Sequence, residues 1–153
     1  MIRTLKYRIY PTKKQTKMLD FTLEECRKLY NYFLLERKNE WKNNKKQIKK
    51  FDQTKEITKI KTNNNKLKQI HSQVLQEIAY RVDRSFQNFF RRVRQKETPG
   101  YPRFKSKKRY NSFTYPQSGF SFTQENKINL SKIGHIKTKQ TKKVKTILKN
   151  CTI

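Results

Sequence analysis

The run from His71 to Arg94 carries the side chains best suited to chemistry with nucleic acid. Its polar faces carry amides and guanidinium groups, namely Gln73, Gln76, Arg81, Arg84, Gln87, Asn88, Arg91, Arg92 and Arg94. Gln and Asn can read base edges, and Arg can hold phosphates or guanine. The alternative interpretation is an amphipathic core helix whose basic face is only solvated.

The apolar residues of this run recur at steps of three and four, which predicts one continuous helix. They are Val74, Leu75, Ile78, Val82, Phe86, Phe89, Phe90 and Val93. Ser72 is expected to be the N-cap, because its hydroxyl can accept a hydrogen bond from a free backbone N–H of the first turn.

Charge narrows the class of partner. The 153 residues include 39 Lys and Arg against 11 Asp and Glu, for a net charge of +28. Because such a charge repels itself in a compact protein, we expect a polyanionic partner, with nucleic acid first and an anionic membrane surface second. Residues 91–153 hold 17 of the basic residues and two of the acidic ones, so this part is expected to be the denser phosphate-binding surface.

Few residues suggest catalysis or metal binding. Cys26 and Cys151 lie far apart, with no CxxC or Cys/His cluster, which argues against a disulfide framework or a zinc ribbon; Cys26 is expected to be a buried thiol. His71 and His135 are more typical of structural histidines. We therefore expect no cofactor, no metal and no small-molecule substrate. No apolar run approaches membrane-spanning length, so we expect a cytoplasmic protein without a membrane partner.

The chain before this run predicts one strand and then helices. Residues 2–10 alternate as a half-buried strand, and the T-x-x-Q pattern of Thr12 and Gln15 predicts a capping box. A helical stripe then continues to about Arg37. Further on the pattern weakens: we expect a short helix around residues 57–60, a break at the asparagines 63–65, and Trp41 packed rather than stacked on a base.

The chain after this run predicts a small barrel. Basic residues alternate with aromatic ones over residues 101–113, which is typical of a strand-edge surface that holds phosphates and stacks bases. The later strand candidates are Ser112–Tyr115, Phe120–Thr123, Lys127–Leu130, His135–Thr138 and Val144–Leu148. A strand, then helices, then strands predicts an α+β fold in which a barrel is interrupted by a helical insertion and the first strand pairs with later ones.

Four stretches resemble the N-terminal part of the TnpB/OrfB proteins of bacterial insertion sequences. They are YRIYPTKKQ, CRKLYNYFL, HSQVLQEIAYRVDRSFQNFFRR, and GYPRFKSKKRYNSFTY with the later KIGHIKTK. That family comprises transposon-encoded transposases, understood as RNA-guided DNA endonucleases related to type V CRISPR effectors. The order and spacing of the four stretches match over nearly the whole chain.

The resemblance implies a wedge-type, oligonucleotide-binding-like β-barrel interrupted after its first strand by a helical recognition domain. The first barrel strand would be residues 1–10, the helical insertion 11–97 and the remaining barrel strands 98–153. The family's first helices are described as a helix-turn-helix, but we find no clear short turn within Thr12–Asn39 and expect no groove-inserting recognition helix over Thr12–Arg37. The family's RNase H-like nuclease and zinc-ribbon domains are expected to be absent, so this chain should be a non-enzyme that cuts nothing.

The resemblance also implies two ligands, a transposon-derived guide RNA and the target-adjacent motif of double-stranded DNA. Ser72, Gln73 and Gln76 would lie close to that motif, and Gln76 is the strongest candidate for a base-edge contact because its amide can pair with adenine. The residues expected at nucleic-acid backbone or RNA are Lys6, Arg8, Arg91, Arg92, Arg103, Phe104, Lys105, Lys107, Lys108 and Arg109.

Three functional interpretations remain open from the sequence. The chain is the nucleic-acid-binding N-terminal fragment of a transposon-encoded nuclease, a nuclease-less RNA- or DNA-binding regulator derived from the family, or a general basic RNA-binding protein.

Overall fold

A computed structural model describes residues 4–123, 125–139 and 148–153. Its elements are β1 (Arg8–Tyr10), α1 (Lys13–Asn44), α2 (Lys50–Asn63), α3 (Asn65–Lys68), α4 (Ser72–Arg94), a 3₁₀ turn (Lys107–Arg109), β2 (Thr114–Tyr115), β3 (Phe120–Phe122), β4 (Lys127–Leu130), β5 (Gly134–Lys139) and β6 (Cys151–Thr152). This order confirms the predicted α+β fold, with helices inserted after the first strand.

Helix α1 begins at the predicted capping box. The Thr12 hydroxyl accepts from the Gln15 backbone N–H, and the Gln15 side chain accepts from the Thr12 N–H. The Gln15 amide also donates to the His135 carbonyl at 2.7 Å, so the cap ties α1 to β5. The helix continues past the expected end near Arg37, which is buried, and ends at Asn44, where Lys45 adopts the left-handed conformation.

The middle of the chain is more helical than its pattern predicted. Helix α2 covers the expected short helix and extends it toward Lys50, and the asparagine break is confirmed at Asn64. The Asn64 side chain accepts from the N–H groups of Lys66 and Leu67 and so caps α3. The expected packing of Trp41 is wrong, since its side chain is 56% exposed.

Helix α4 buries only the first half of its apolar stripe. Val74, Leu75, Ile78 and Val82 are fully buried, whereas Phe90 and Val93 are exposed because no element covers them among the described residues. The N-cap position is His71 rather than Ser72. Ser72 is the first helical residue, and its hydroxyl instead accepts from the Lys61 ammonium at 2.7 Å.

The strands form two antiparallel sheets. The larger has the order β1-β5-β4-β3, and the smaller pairs β2 with β6. Ile9 of β1 lies opposite Thr138 of β5, which confirms that the first strand pairs with a later one. The predicted barrel is not closed among the described strands, because the ladder of hydrogen bonds does not return from β3 to β1. The strand expected over Val144–Leu148 falls mostly on residues 140–147, outside the described residues.

The strand geometry expected over residues 101–113 is wrong, because none of these residues lies in a strand. Residues 101–106 are irregular, and the backbone of Lys105 lies on α1, where its N–H and carbonyl both hydrogen-bond to the Asn31 side chain at 2.8 and 2.9 Å. Tyr110 and Phe113 belong to the hydrophobic core and are not free to stack on bases.

One hydrophobic core joins the helices to the sheets. It includes Leu29, Phe33, Ile78, Tyr115 and Ile136, together with further residues of the same elements. The buried Cys26 predicted from the sequence is confirmed at 0% exposure. Burial raises the pKa of its thiol to about 12 and that of Cys151 to about 11. Among the described helices, none is long and apolar enough to cross a membrane.

A polar network links α1, α2 and α4 beside this core. Arg37 donates to the Gln53 side chain at 2.9 Å and to Asp83 at 3.1 Å. Gln53 in turn donates to Glu36 at 2.7 Å. Burial and a hydrogen bond with Glu56 raise the pKa of Glu36 to about 7, although the Gln53 hydrogen bond opposes the rise.

The Glu36→Gln variant should lose a pH dependence of stability. In the unfolded chain Glu36 ionises near its ordinary pKa of 4.5, whereas the folded protein retains this proton up to about pH 7. The free energy of unfolding should therefore fall as the pH rises between these values. Urea denaturation followed by circular dichroism should reveal this decrease in the parent protein and a smaller one in Glu36→Gln. The exposed Glu97→Gln is the control, and an unchanged pH profile in Glu36→Gln would contradict the raised pKa.

Candidate nucleic-acid interface

The three residues expected at the DNA motif lie together on the first turns of α4, but they differ in availability. The Ser72 hydroxyl accepts from Lys61, and the side-chain amide oxygen of Gln73 accepts from the Ser118 backbone N–H at 2.9 Å. Gln76 is half-buried and makes no hydrogen bond within the described part of the chain. Gln76 therefore keeps both its side-chain amide oxygen and its amide nitrogen without a partner among the described residues, whereas the amide oxygen of Gln73 is occupied.

The turn between β2 and β3 holds this end of α4. Besides the Gln73 contact, the His71 ring lies 5.6 Å from the Tyr115 ring, measured between centroids. Gly119 has φ +89° and approaches both rings so closely that an added Cβ would lie 2.9 Å from their atoms. Burial lowers the pKa of His71, and the nearby Lys61 and Lys132 lower it further, so this histidine is a neutral packing residue at pH 7.

A stripe on α4 faces away from the core. On a helix of 3.6 residues per turn, one side carries Gln73, Gln76, Tyr80, Arg84, Gln87, Arg91 and Arg94. The first three are half-buried and the last four are exposed. Amides therefore occupy the N-terminal part of this α4 stripe, and arginines dominate its C-terminal part.

An aromatic cluster lies beside the C-terminal half of α4. The rings of Phe86 and Phe89 meet the Tyr101 ring edge-on, with centroids 5.8 and 5.2 Å apart. The Lys38 ammonium lies 5.1 Å from the centroid of Tyr101 and 4.6 Å from that of Phe104. Both Tyr101 and Phe104 are more than 40% exposed, so a cation and open aromatic rings lie together at this surface.

An open groove of about 260 Å³ separates α4 from residues 105–112. Its lining comprises Tyr30, Arg81, Arg84, Ser85, Asn88, Lys105, Arg109, Tyr110, Asn111 and Ser112. Four of these residues are cationic and none is acidic. The groove brings the predicted backbone-binding residues Lys105 and Arg109 next to two arginines of α4.

Arg81 is held rigidly at this groove without a carboxylate partner. Its guanidinium donates to the Ser112 carbonyl at 2.7 Å and to the Thr114 hydroxyl at 3.0 Å, and it lies 5.7 Å from the centroid of the Tyr110 ring. By contrast, Arg37 pairs with Asp83 and Arg84 pairs with Glu77. The positive charge of Arg81 is therefore fixed in position and uncompensated among the described residues.

The other predicted backbone-binding residues are not gathered at the groove. Arg91 and Arg92 lie exposed on the last turn of α4, where Arg91 donates to Gln95 and Arg92 lies 3.9 Å from Glu97. Arg103, Lys107 and Lys108 are exposed and lie close in sequence to Lys105 and Arg109, but they do not line the groove.

The two basic residues of the first strand segment form a separate surface. Lys6 and Arg8 lie before and within β1, and Arg8 contacts the Tyr10 ring at 5.6 Å. No hydrogen bond joins either residue to α4 in the described ranges.

No group of three or more His, Cys, Asp or Glu side chains in the described ranges could hold a metal ion.

Sequence reasoning did not assign Arg81, Arg84, Asn88 or Lys38 to a site. The first three were recognised as polar residues of one helix, and their spacing of three and four was a usable signal that they share a side. Nothing in the sequence indicated that Arg109 would lie beside them, because that contact depends on the path of an irregular segment.

Two comparisons relate the sequence of this chain to known proteins. Residues 1–46 match the family described as the helix-turn-helix domain of IS605 OrfB proteins. Within the described part of that match, a single unbroken helix follows β1. The chain is also 35% identical over 88 residues to InsQ of Escherichia coli (strain K12), whose name describes an RNA-guided DNA endonuclease. The aligned region is 57% of this chain and 20% of InsQ. These matches confirm the resemblance to the N-terminal part of TnpB/OrfB proteins.

Gly119→Ala should destabilise the fold more than Gly134→Ala. Both glycines have positive φ, but only Gly119 would also force a Cβ against His71 and Tyr115. Positive-φ strain alone costs about 1–3 kcal/mol, and the clash adds to it. Chemical denaturation of both variants should rank them in this order, with Gly100→Ala near the parent because its Cβ would meet open space. Equal stability of Gly119→Ala and Gly100→Ala would refute this packing.

Proposed function

We propose that this chain, which is similar to the N-terminal part of TnpB/OrfB proteins, binds nucleic acid as part of an RNA-guided, transposon-encoded DNA endonuclease. Its ligands would be the scaffold of a guide RNA and the target-adjacent motif of duplex DNA. The proposed role of the described residues is binding, and we assign cleavage to none of them.

The α4 stripe is the observation that carries this proposal. Its amides are the groups that read base edges, and its arginines are the groups that hold phosphates. Both kinds of group lie on one solvent-facing side of one helix, in a chain of net charge +28. Arginines near the C-terminus of α4 are also favoured by the helix dipole, so the amides of its first turns are the part of this pattern that solvation alone does not explain.

Gln76 is our proposed base-reading residue. Ser72 and Gln73 are occupied by Lys61 and Ser118, so they are better suited to holding this end of α4 than to reading bases. The Gln76 amide can donate and accept at the same time, which is what a bidentate contact with adenine requires.

We propose that the backbone-binding surface extends from the arginines of α4 to residues 103–109. Phe104 is exposed beside Lys38, which suits a base or ribose stacked next to a phosphate. Lys6 and Arg8 would add a second contact at β1.

Gln76→Ala should weaken discrimination between duplexes more than it weakens overall affinity. A bidentate amide–adenine contact contributes about 1–3 kcal/mol of preference for the correct base. A motif would first be selected from a randomised duplex pool, and fluorescence anisotropy would then compare matched and scrambled duplexes. The exposed Gln47→Ala is the control. Equal losses on both duplexes would remove Gln76 from base reading.

Affinity should depend steeply on salt. A protein that neutralises about six to ten phosphates loses roughly 10³–10⁵-fold in affinity between about 50 and 200 mM salt. Anisotropy titrations with transposon-end RNA and with ribosomal RNA would measure both the slope and the preference. A flat salt response would overturn the basic-surface argument, and equal binding of both RNAs would favour a general RNA-binding protein.

A further inference from the structure

We propose that the groove between α4 and residues 105–112 seats one backbone phosphate of a bound polynucleotide. This inference rests on the proposed nucleic-acid function and adds a specific site to it. The groove of about 260 Å³ lies below the range of roughly 300–1,000 Å³ that is usual for drug-sized ligands, so it suits a small polar group.

The charge of the groove selects an anion. Arg81, Arg84, Lys105 and Arg109 line it, and no carboxylate does. Arg84 shares its charge with Glu77, but no ion pair occupies the other three within the described ranges. Close cations that lack counter-charges repel one another, and a phosphate between them would relieve that repulsion.

Arg81 supplies a donor that is already oriented. Two of its five N–H groups are used by Ser112 and Thr114, which lock the guanidinium plane, and the others are left for a ligand. Because the side chain is ordered before binding, it loses little conformational entropy when a phosphate arrives. This rigid, uncompensated guanidinium distinguishes the groove from the flexible lysines elsewhere on the surface.

The neutral lining residues suit a phosphodiester. Asn88 and Asn111 each have an amide N–H₂ group and make no side-chain hydrogen bond among the described residues, whereas the Ser85 hydroxyl already donates to the Arg81 carbonyl at 3.0 Å. Phosphate oxygens accept hydrogen bonds from such groups as well as from arginine. The groove is open to solvent, so the nucleotides on either side of a bound phosphate could lie outside it.

Asn111→Asp is the main test, because it replaces only the side-chain amide and thereby places a carboxylate in the groove. Asn111 is exposed, so the change should leave the fold intact. Asn39→Asp is the matched control, an exposed asparagine on α1 with the same change of charge. With an oligothymidylate ligand, we expect Asn111→Asp to lose about tenfold more affinity than Asn39→Asp. The slope of log affinity against log salt concentration should also fall by about the contribution of one phosphate contact.

A second pair of variants protects the test against misfolding. Arg109→Ala removes a groove cation, whereas Lys59→Ala removes an exposed cation from α2. Arg109→Ala should weaken binding about fivefold to tenfold relative to Lys59→Ala. Thermal unfolding of all four variants would establish that each is folded at the assay temperature.

Nuclear magnetic resonance would locate the phosphate. The dinucleotide TpT should shift the side-chain amide signals of Asn88 and Asn111, and its uncharged methylphosphonate analogue should not. If inorganic phosphate shifts them as strongly as TpT at equal concentration, the groove binds free anions and the backbone seat is wrong. If Asn111→Asp matches Asn39→Asp while the parent binds nucleic acid normally, only this inference fails. If the folded parent binds no nucleic acid at all, the proposed function fails as well.

Discussion

The structure depends on the buried ion pair between Arg37 and Asp83. Arg37 comes from the C-terminal part of α1, Asp83 from α4, and Gln53 of α2 accepts from the same guanidinium. Leaving one partner of a buried pair uncompensated costs about 3–5 kcal/mol, so the three helices have one strongly preferred arrangement. The Arg37 guanidinium also lies 5.4 Å from the Phe86 ring, which closes the network at the point where the buried stripe of α4 gives way to exposed aromatic residues.

This pair determines which residues of α4 can reach a ligand. Asp83 points toward α1, and Arg81 on another side of the helix is bound to Ser112 and Thr114. Two polar anchors on different sides prevent the helix from rotating about its axis. The α4 stripe therefore faces solvent, and the groove keeps its width, because the same helix that packs the core also positions the cations.

Local sequence signals predicted the elements well, and the contacts between distant elements poorly. The capping box of Thr12 and the strand at Lys127–Leu130 follow from patterns within a few residues, and both are confirmed. The N-cap of α4 was predicted one residue too late, at Ser72. The hydrogen bond that Lys61 donates to the Ser72 hydroxyl cannot be inferred from the spacing of residues in the sequence. The irregular path of residues 101–106 follows from Asn31 and Arg27 on α1, which bind the Lys105 backbone across more than seventy positions of sequence. The groove was missed for the same reason.

The buried thiol of Cys26 and the half-buried thiol of Cys151 make the molecule convenient to probe. With pKa values of about 12 for Cys26 and about 11 for Cys151, almost no thiolate forms near neutrality, and the thiolate is the reactive species. Maleimide reagents should therefore react with both native thiols more slowly than with an exposed cysteine. A single cysteine introduced on the exposed side of α4 would take a fluorophore or spin label selectively, without first stripping the chain of its own sulfhydryl groups.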